Sequence, residues 1–313
     1  MKYAAGLDLG GTNIAGGIVG EDGTIAAGGS IKTHADRGPD HVIRSMGDFV
    51  LGMIEESGKE VASIGIGSPG PIDHEKGSIC EAPNLHGWGE TPVLAKMEEY
   101  TGYECVLEND ADAACMGEKL FGAGRECDTI VHLTLGTGIG GGLFINGRLF
   151  RGGKGSGAEL GHMVLNADGY RCGCGRKGCF EAYCSDAGIR TQVKEEIEGY
   201  PDSECSRFDI SEINFKLIRE LARKGDVYAE KVYQRVVRYF GIGIGNLVNI
   251  FNPHAVILSG GMIKAGEEFI QGIRDKVFEE AFDSMVGDCR ICVSTLGDNA
   301  GVLGAAACAL MNQ

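Results

Sequence analysis

Apolar residues recur along the chain with two different periods. Short apolar or alternating runs at Tyr3–Leu9, Ile14–Val19 and Thr24–Ile31 predict three strands, the last two joined by the hairpin turn Glu21-Asp22-Gly23. From Pro39 to Ser57 the period lengthens. Val42, Met46, Phe49, Val50, Met53 and Ile54 share one face of a 3.6-residue repeat and Gly58 ends it, which predicts a helix. Ser63–Gly67 reads as a buried strand, Tyr103–Glu108 as another, and Ala111–Leu120 as a helix. The pattern then restarts. Thr129–Leu135 is a strand, Gly136–Gly142 a glycine-rich turn, Leu143–Ile145 a return strand, and Asn146-Gly147 a second hairpin signal. Helices are predicted at Ala187–Glu198, Ile213–Lys224 and Tyr228–Phe251, the last stopped by Asn252-Pro253. Ala255–Ser259 is a strand, Gly260-Gly261 a turn and Ile263–Phe282 a helix. Strand Ile291–Leu296 and the small-residue helix Val302–Met311 close the chain.

Strand–turn–strand units alternating with amphipathic helices indicate an α/β class. Asp8-Leu9-Gly10-Gly11-Thr12-Asn13 and Thr134-Leu135-Gly136-Thr137-Gly138-Ile139 each run from a strand through a Gly/Thr turn and straight back. This implies an internal duplication, two similar lobes bringing two glycine hairpins to one cleft. A length of 313 residues suits two domains. Glycine supplies 52 of the 313 residues with no collagen period, so the excess belongs in turns and close backbone approaches.

A net charge of −15 opposes attraction to nucleic acid or an anionic membrane. An anionic ligand would therefore be held by backbone amides. No apolar run is long enough to span a membrane. The first residues lack the apolar core of a signal peptide, and twelve cysteines without one imply reduced thiols or metal ligands. The expectation is a cytoplasmic protein.

A tight strand–strand turn points successive N–H groups into one concavity, where glycine lets a phosphate approach. A plain hairpin is the competing reading, less natural for two loops of one design. Gly136-Thr137-Gly138-Ile139-Gly140-Gly141 satisfies G-x-G-x-x-G, but that fingerprint must open a helix, and strand follows. Asn109-Asp110 sits where a strand hands over to a helix. A carboxylate there can accept the hydroxyl proton in phosphoryl transfer to an alcohol, or either residue can simply cap the helix.

His162, Cys172, Cys174, Cys179 and Cys184 place five soft donors within 23 positions. Cys-x-Cys-x4-Cys with an upstream histidine suits a closed, structural zinc site, and spacing leaves the fourth ligand open between His162 and Cys184. Unmetallated thiols are the alternative. Glu159 and Glu181 flank the cluster, which would lock both carboxylates as acceptors for vicinal sugar hydroxyls.

These residues resemble the ROK family of bacterial sugar kinases and repressors, and among them the glucokinases. The resemblance covers essentially the whole chain. It is carried by Asp8–Asn13, by Gly65–Asp73, by Pro83-Asn84-Leu85-His86-Gly87-Trp88, by Glu108-Asn109-Asp110-Ala111 and by Leu135–Gly142. The most specific string is Glu159-x-x-His162 followed by Cys172-Gly173-Cys174-Gly175-x-x-Gly178-Cys179-x-Glu181. It implies the two-lobed actin-like ATPase fold, with a small lobe of 1–112 plus the final helix 300–313. The large lobe would be 113–299, with a zinc loop at 159–184. It implies ATP-dependent phosphorylation of glucose at its 6-hydroxyl with Asp110 as general base. Gly70, Asn84, Asn109, Asp110, Glu159, His162 and Glu181 would bind the sugar. Asp8, Gly10, Gly11, Thr12, Asn13, Gly136, Thr137, Gly138, Gly260 and Gly261 would face ATP and Mg²⁺. His162, Cys172, Cys174 and Cys179 would hold Zn²⁺, leaving Cys184 aside. A homodimer or homotetramer is expected.

N-acetylglucosamine, N-acetylmannosamine, mannose, allose or fructose are the alternative sugars. The family's repressors carry a DNA-binding domain ahead of the first phosphate motif. Here the first strand begins at Tyr3, which disfavours a sugar-sensing repressor. Cys80, Cys105, Cys115, Cys127 and Cys205 have no account from the fold, and Glu195–Ser211 reads as a surface stretch without a motif.

Overall fold

The computed structural model describes residues 1–80, 85 and 87–311. The strands are β1 (Tyr3–Leu9), β2 (Asn13–Gly20), β3 (Ile25–Lys32), β4 (Val61–Ser68), β5 (Ile72–Asp73), β6 (Ser78–Ile79), β7 (Cys105–Asn109), β8 (Ile130–Leu135), β9 (Ile139–Ile145), β10 (Arg148–Leu149), β11 (Ala255–Ser259) and β12 (Arg290–Val293). The helices are α1 (Pro39–Ser57), α2 (Val93–Thr101), α3 (Asp110–Leu120), α4 (Phe180–Cys184), α5 (Asp186–Glu196), α6 (Phe215–Arg223), α7 (Val227–Phe251), α8 (Glu267–Glu280), α9 (Asp283–Val286) and α10 (Ala300–Met311).

Two five-stranded sheets repeat one plan. Their orders are β3-β2-β1-β4-β7 and β10-β9-β8-β11-β12, so each hairpin series is extended by two later strands. In the first sheet β1, β4 and β7 run parallel, and in the second β8, β11 and β12 do. This is the duplication expected from the two glycine turns, and it is the plan of the actin-like ATPase fold.

The chain divides into two compact units. One comprises Met1–Asp128, Gly142–Ala158 and Ser294–Gln313, the other Thr129–Gly141 and Glu159–Val293. In the first unit, the apolar face of α1 (Val42, Met46, Val50) and inward residues of the sheet (Leu7, Ile14, Ile64, Ile66) make one core. On the opposite face α10 lies almost on the backbone. A Cβ at Gly6 would overlap the Val302 carbonyl, and one at Gly65 the Ala305 carbonyl. Where α10 crosses α3, Gly304 and Gly117 meet backbone to backbone. Glycine in the strands and alanine in the helix are what permit this approach.

The second unit is built on aromatics. Phe240 meets Phe180 and Phe269 edge to face at 5.5 and 5.7 Å. In α7, Gly241 lets the backbone of α8 approach at Lys276.

Several features depart from the sequence pattern, two of them at glycine turns. The glycine-rich turn is only Gly136–Gly138, because Ile139-Gly140-Gly141-Gly142 already belongs to β9. The helix expected over 263–282 is split. Gly261–Ala265 is a 3-10 turn, and α8 starts after Gly266, whose φ of 98° is open to glycine. Segment 195–211 holds the 3-10 turns Ile197–Gly199 and Glu204–Arg207 and the start of a third at Ile210, and Cys205 in the second of them is buried. No helix of the described residues is long and apolar enough to cross a membrane.

Candidate active site and metal cluster

The parallel strands β1, β4 and β7 deliver their C-terminal ends to one edge of the first sheet, with Asp8 opposite Gly67 and Ser68 opposite Asn109. Open α/β sheets take ligands at such edges. Beyond Leu9 the chain turns through Gly10-Gly11-Thr12 into β2, and the Gly10 N–H donates to the Asn13 carbonyl at 3.0 Å. A fully buried Thr33 pins this turn, its hydroxyl donating to the Gly10 carbonyl at 2.7 Å and its N–H to that of Thr12 at 3.0 Å.

At the end of β7 the two roles open in the sequence are divided. Asn109 is the N-cap of α3, its Oδ1 accepting from the Ala111 and Asp112 N–H groups. Its amide also donates to the carbonyl of Gly70 at 3.2 Å, and Gly70 holds φ 89°. Asp110 follows as the first helical residue, with its side chain exposed. Burial, and then the charge of Asp110, push the Asp8 carboxyl up to about 6. The edge thus gathers two interacting carboxylates beside a glycine turn.

Beneath Asp110 lies Glu108, a fully buried carboxylate. Arg151 grips it through Nε at 2.7 Å and a second guanidinium nitrogen at 2.6 Å, and His74 Nε2 stands 3.4 Å away. Glu108 Oε1 also accepts the Asn109 N–H at 3.1 Å. Sequence reading quoted Glu108 within Glu108-Asn109-Asp110-Ala111 without giving it a role, and missed Arg151, His74 and Thr33, which lie in none of the motifs. A charged residue inside an apolar strand, Val106-Leu107-Glu108, was the available signal for Glu108.

In the second unit β8 and β11 end in the two other glycine turns. The Gly136 N–H donates to the Gly138 carbonyl at 3.0 Å, and the N–H groups of Asp186 and Ala187 at the start of α5 bind the Gly136 and Thr137 carbonyls. Glu181 closes the turn, one carboxylate oxygen accepting the Ile139 N–H at 3.0 Å. A Cβ on Gly138 would sit 2.5 Å from that oxygen. Gly260, at φ 92°, packs its backbone against Leu135 at the end of β8.

The other oxygen of Glu181 is 3.4 Å from Cys172 Sγ. His162, Cys172, Cys174 and Cys179 converge there, with one donor atom from each lying within 4.8 Å of all the others. Cys174 and Cys179 sulfurs are 3.7 Å apart, and Cys172 Sγ lies 3.7 Å from His162 Nδ1. Metal–sulfur bonds of ~2.3 Å in a tetrahedron give sulfur–sulfur edges of about 3.8 Å. The four donors therefore fit zinc. Cys184 is elsewhere, fully buried with its thiol donating to the Val236 carbonyl at 3.4 Å.

Within the first unit the structure brings together Asp8, Gly10, Asn109, Asp110 and Gly70, and within the second Gly136–Gly138, Glu181, His162 and the three cysteines. Glu159 is exposed, one turn before His162. Asn84 lies outside the described residues.

The family described as ROK matches residues 4–312. A glucokinase of Thermotoga maritima is 41% identical over 303 residues, covering 96% of this chain and 95% of that protein. Among solved structures, a ROK hexokinase from Thermus thermophilus superposes with a TM-score of 0.87 at 31% identity, over 99% of this chain and 98% of that one. A ROK family glucokinase from Streptomyces griseus, in complex with glucose and AMPPNP, gives 0.77 at 34% identity, over 97% of this chain and 98% of that one.

Proposed function

The chain belongs to the ROK family, and from that membership we propose that it is an ATP-dependent hexokinase acting on glucose. The observation that carries the reading is Asp110, an exposed carboxylate fixed at the start of α3 beside the Asn109–Gly70 bond. Asp110 takes the proton from the sugar 6-hydroxyl as that oxygen bonds to the γ-phosphorus of ATP and the bond to ADP breaks. Such transfers need little from the protein beyond positioning, one base and charge stabilisation. Gly70, Asn84, Asn109, Glu159, His162 and Glu181 hold the hydroxyls. The turns at Gly10–Asn13 and Gly136–Gly138, with Gly260 and Gly261, present N–H groups to ATP.

Mg²⁺ bound with ATP would neutralise phosphate charge, and the Asp8 carboxylate at the β1 end suits its vicinity. Zn²⁺ would be held by His162 Nδ1, Cys172, Cys174 and Cys179 with no open position, a structural role. His162 keeps Nε2 for the sugar.

A coupled ADP-release assay across glucose, mannose, fructose, allose, N-acetylglucosamine and N-acetylmannosamine tests the substrate. Preference for glucose by about 100-fold in kcat/KM, roughly 2.7 kcal/mol of transition-state discrimination, supports the reading, and preference for another sugar replaces it. Asp110→Asn should bind glucose nearly as tightly as the parent while kcat falls about 100-fold or more. Retained turnover removes Asp110 from the chemistry.

A further inference from the structure

A groove of about 910 Å³ lies wholly within the second unit, walled by the cysteine loop and α7. None of its lining residues belongs to the glycine turns, the carboxylates or the four metal donors. Its volume is in the range of small-molecule sites, roughly 300–1,000 Å³, and far beyond the need of one monatomic counter-ion.

The charge of its walls runs against the rest of the chain. The protein has 44 acids and 29 bases, yet the 13 wall residues include five bases and two acids. An even spread would put about one base and about two acids there. Two of the five are already engaged. Arg235 makes two bonds to Glu196 at 2.9 and 3.0 Å and lies over the Tyr170 ring, and Lys231 stands 3.7 Å from Glu196. Arg171, Lys177 and Arg238 are exposed and have no ion pair among the described residues. They are unspent positive charge around a fixed floor.

That floor is ordered by its own contacts. Tyr183 and Tyr239 stack at 3.6 Å with an interplanar angle of 10°, and Asn166 donates to the Tyr183 hydroxyl at 3.0 Å. Guanidinium groups present paired donors that match carboxylate and phosphate oxygens alike, but several cations around one concavity suit a ligand with more than one negative charge, which favours a multiply charged phosphate over a single carboxylate or a halide.

We propose that this groove is a second, non-catalytic site for a multiply charged phosphate anion. The shared chemistry has two sources, a phosphorylated sugar or an inorganic oligophosphate. The test is calorimetric titration of the intact protein, its catalytic site filled with glucose and Mg–AMPPNP, at low salt. Tripolyphosphate and glucose 6-phosphate are the separate titrants. One of them should bind with a Kd below about 1 mM, and its affinity should fall steeply with added salt. Which titrant binds identifies the source. Arg238→Glu on the exposed side of α7 should weaken that binding at least tenfold while leaving kcat and both KM values within about twofold. Lys177→Glu should weaken it through the opposite wall. The proposal falls if neither titrant binds, if binding survives in both variants, or if the parent is an oligomer that Arg238→Glu dissociates. That last result would mean a second copy covers the groove.

Discussion

Truncating Arg151 to alanine tests whether the charge beneath Asp110 matters. Glu108 is fully buried, and its carboxylate is neutralised by two guanidinium contacts, at 2.7 and 2.6 Å. Removing one partner of a buried pair costs about 3–5 kcal/mol, because the stranded charge keeps its desolvation penalty. Arg151 itself is 41% exposed, so water can reach part of the vacated space and the loss should be smaller, about 2–3 kcal/mol. At about 2–4 °C per kcal/mol for a protein of this size, the melting temperature should drop by about 4–12 °C. The decisive arm is the double variant Arg151→Ala with Glu108→Gln. A neutral glutamine can still accept the Asn109 N–H but leaves no charge to strand, so it should recover at least half of the loss. Calorimetry of the four proteins gives the coupling directly. In activity assays Arg151→Ala should lower kcat more than it raises the KM for ATP, since Glu108 holds the backbone one residue before Asp110. A single variant melting within about 1 °C of the parent, with no recovery in the double, would show that Glu108 is solvated and refute the argument.

Three further outcomes are expected. Asp8→Asn should stabilise the metal-free protein while removing activity: with its folded pKa near 6, Asp8 contributes stability at low pH that is lost as pH rises through 6. The gap between variant and parent should therefore widen by about 1 kcal/mol from pH 5 to 7.5, and a gap that shrinks would contradict the burial argument. Gly138→Ala should displace the Glu181 carboxylate from the Ile139 N–H, lowering kcat/KM by about tenfold with little loss of melting temperature, because the clash is with a side-chain end. Purified protein should contain one zinc per chain by elemental analysis, and Cys174→Ser or a strong chelator should remove it and lower the melting temperature. A zinc-free parent of unchanged stability would leave the four donors as plain thiols.

The elements with one dominant period were legible from residues alone. α1 runs from Pro39 to Ser57 and β11 from Ala255 to Ser259, as the pattern predicts, because one apolar face or one buried run decides each. The short pieces were not. The hairpin β5–β6 and helix α2 carry too few residues for a period to register, and Gly140-Gly141-Gly142 hides a strand behind turn-like composition. The Cys/His cluster was legible as spacing, but spacing alone did not choose His162 over Cys184. That choice is made by which side chains meet in space, and Cys184 is spent on the Val236 carbonyl. Glu108, Arg151 and His74 are 77 positions apart at their extremes, so no local pattern could join them.

The glycine excess, read from the sequence as turns and close backbone approaches, serves the edge that bears Asp8 in both ways. Gly10 and Gly136 shape turns, but Gly6, Gly65, Gly117 and Gly304 shape packing. Gly6 lies two residues before Asp8, and Gly65 lies on β4 between the strands that bear Asp8 and Asn109. A side chain at either would push α10 off the sheet. Gly301, at the start of α10, has room for no Cβ because the Asp8 carboxylate occupies that space. The helix therefore covers Asp8 only because three glycines let it descend. That cover is the burial that raises the Asp8 pKa, with Asp110 adding to it. Residues with no polar chemistry of their own thus contribute, alongside the Asp110 charge, to the upward shift of the Asp8 carboxyl, through the absence of a Cβ.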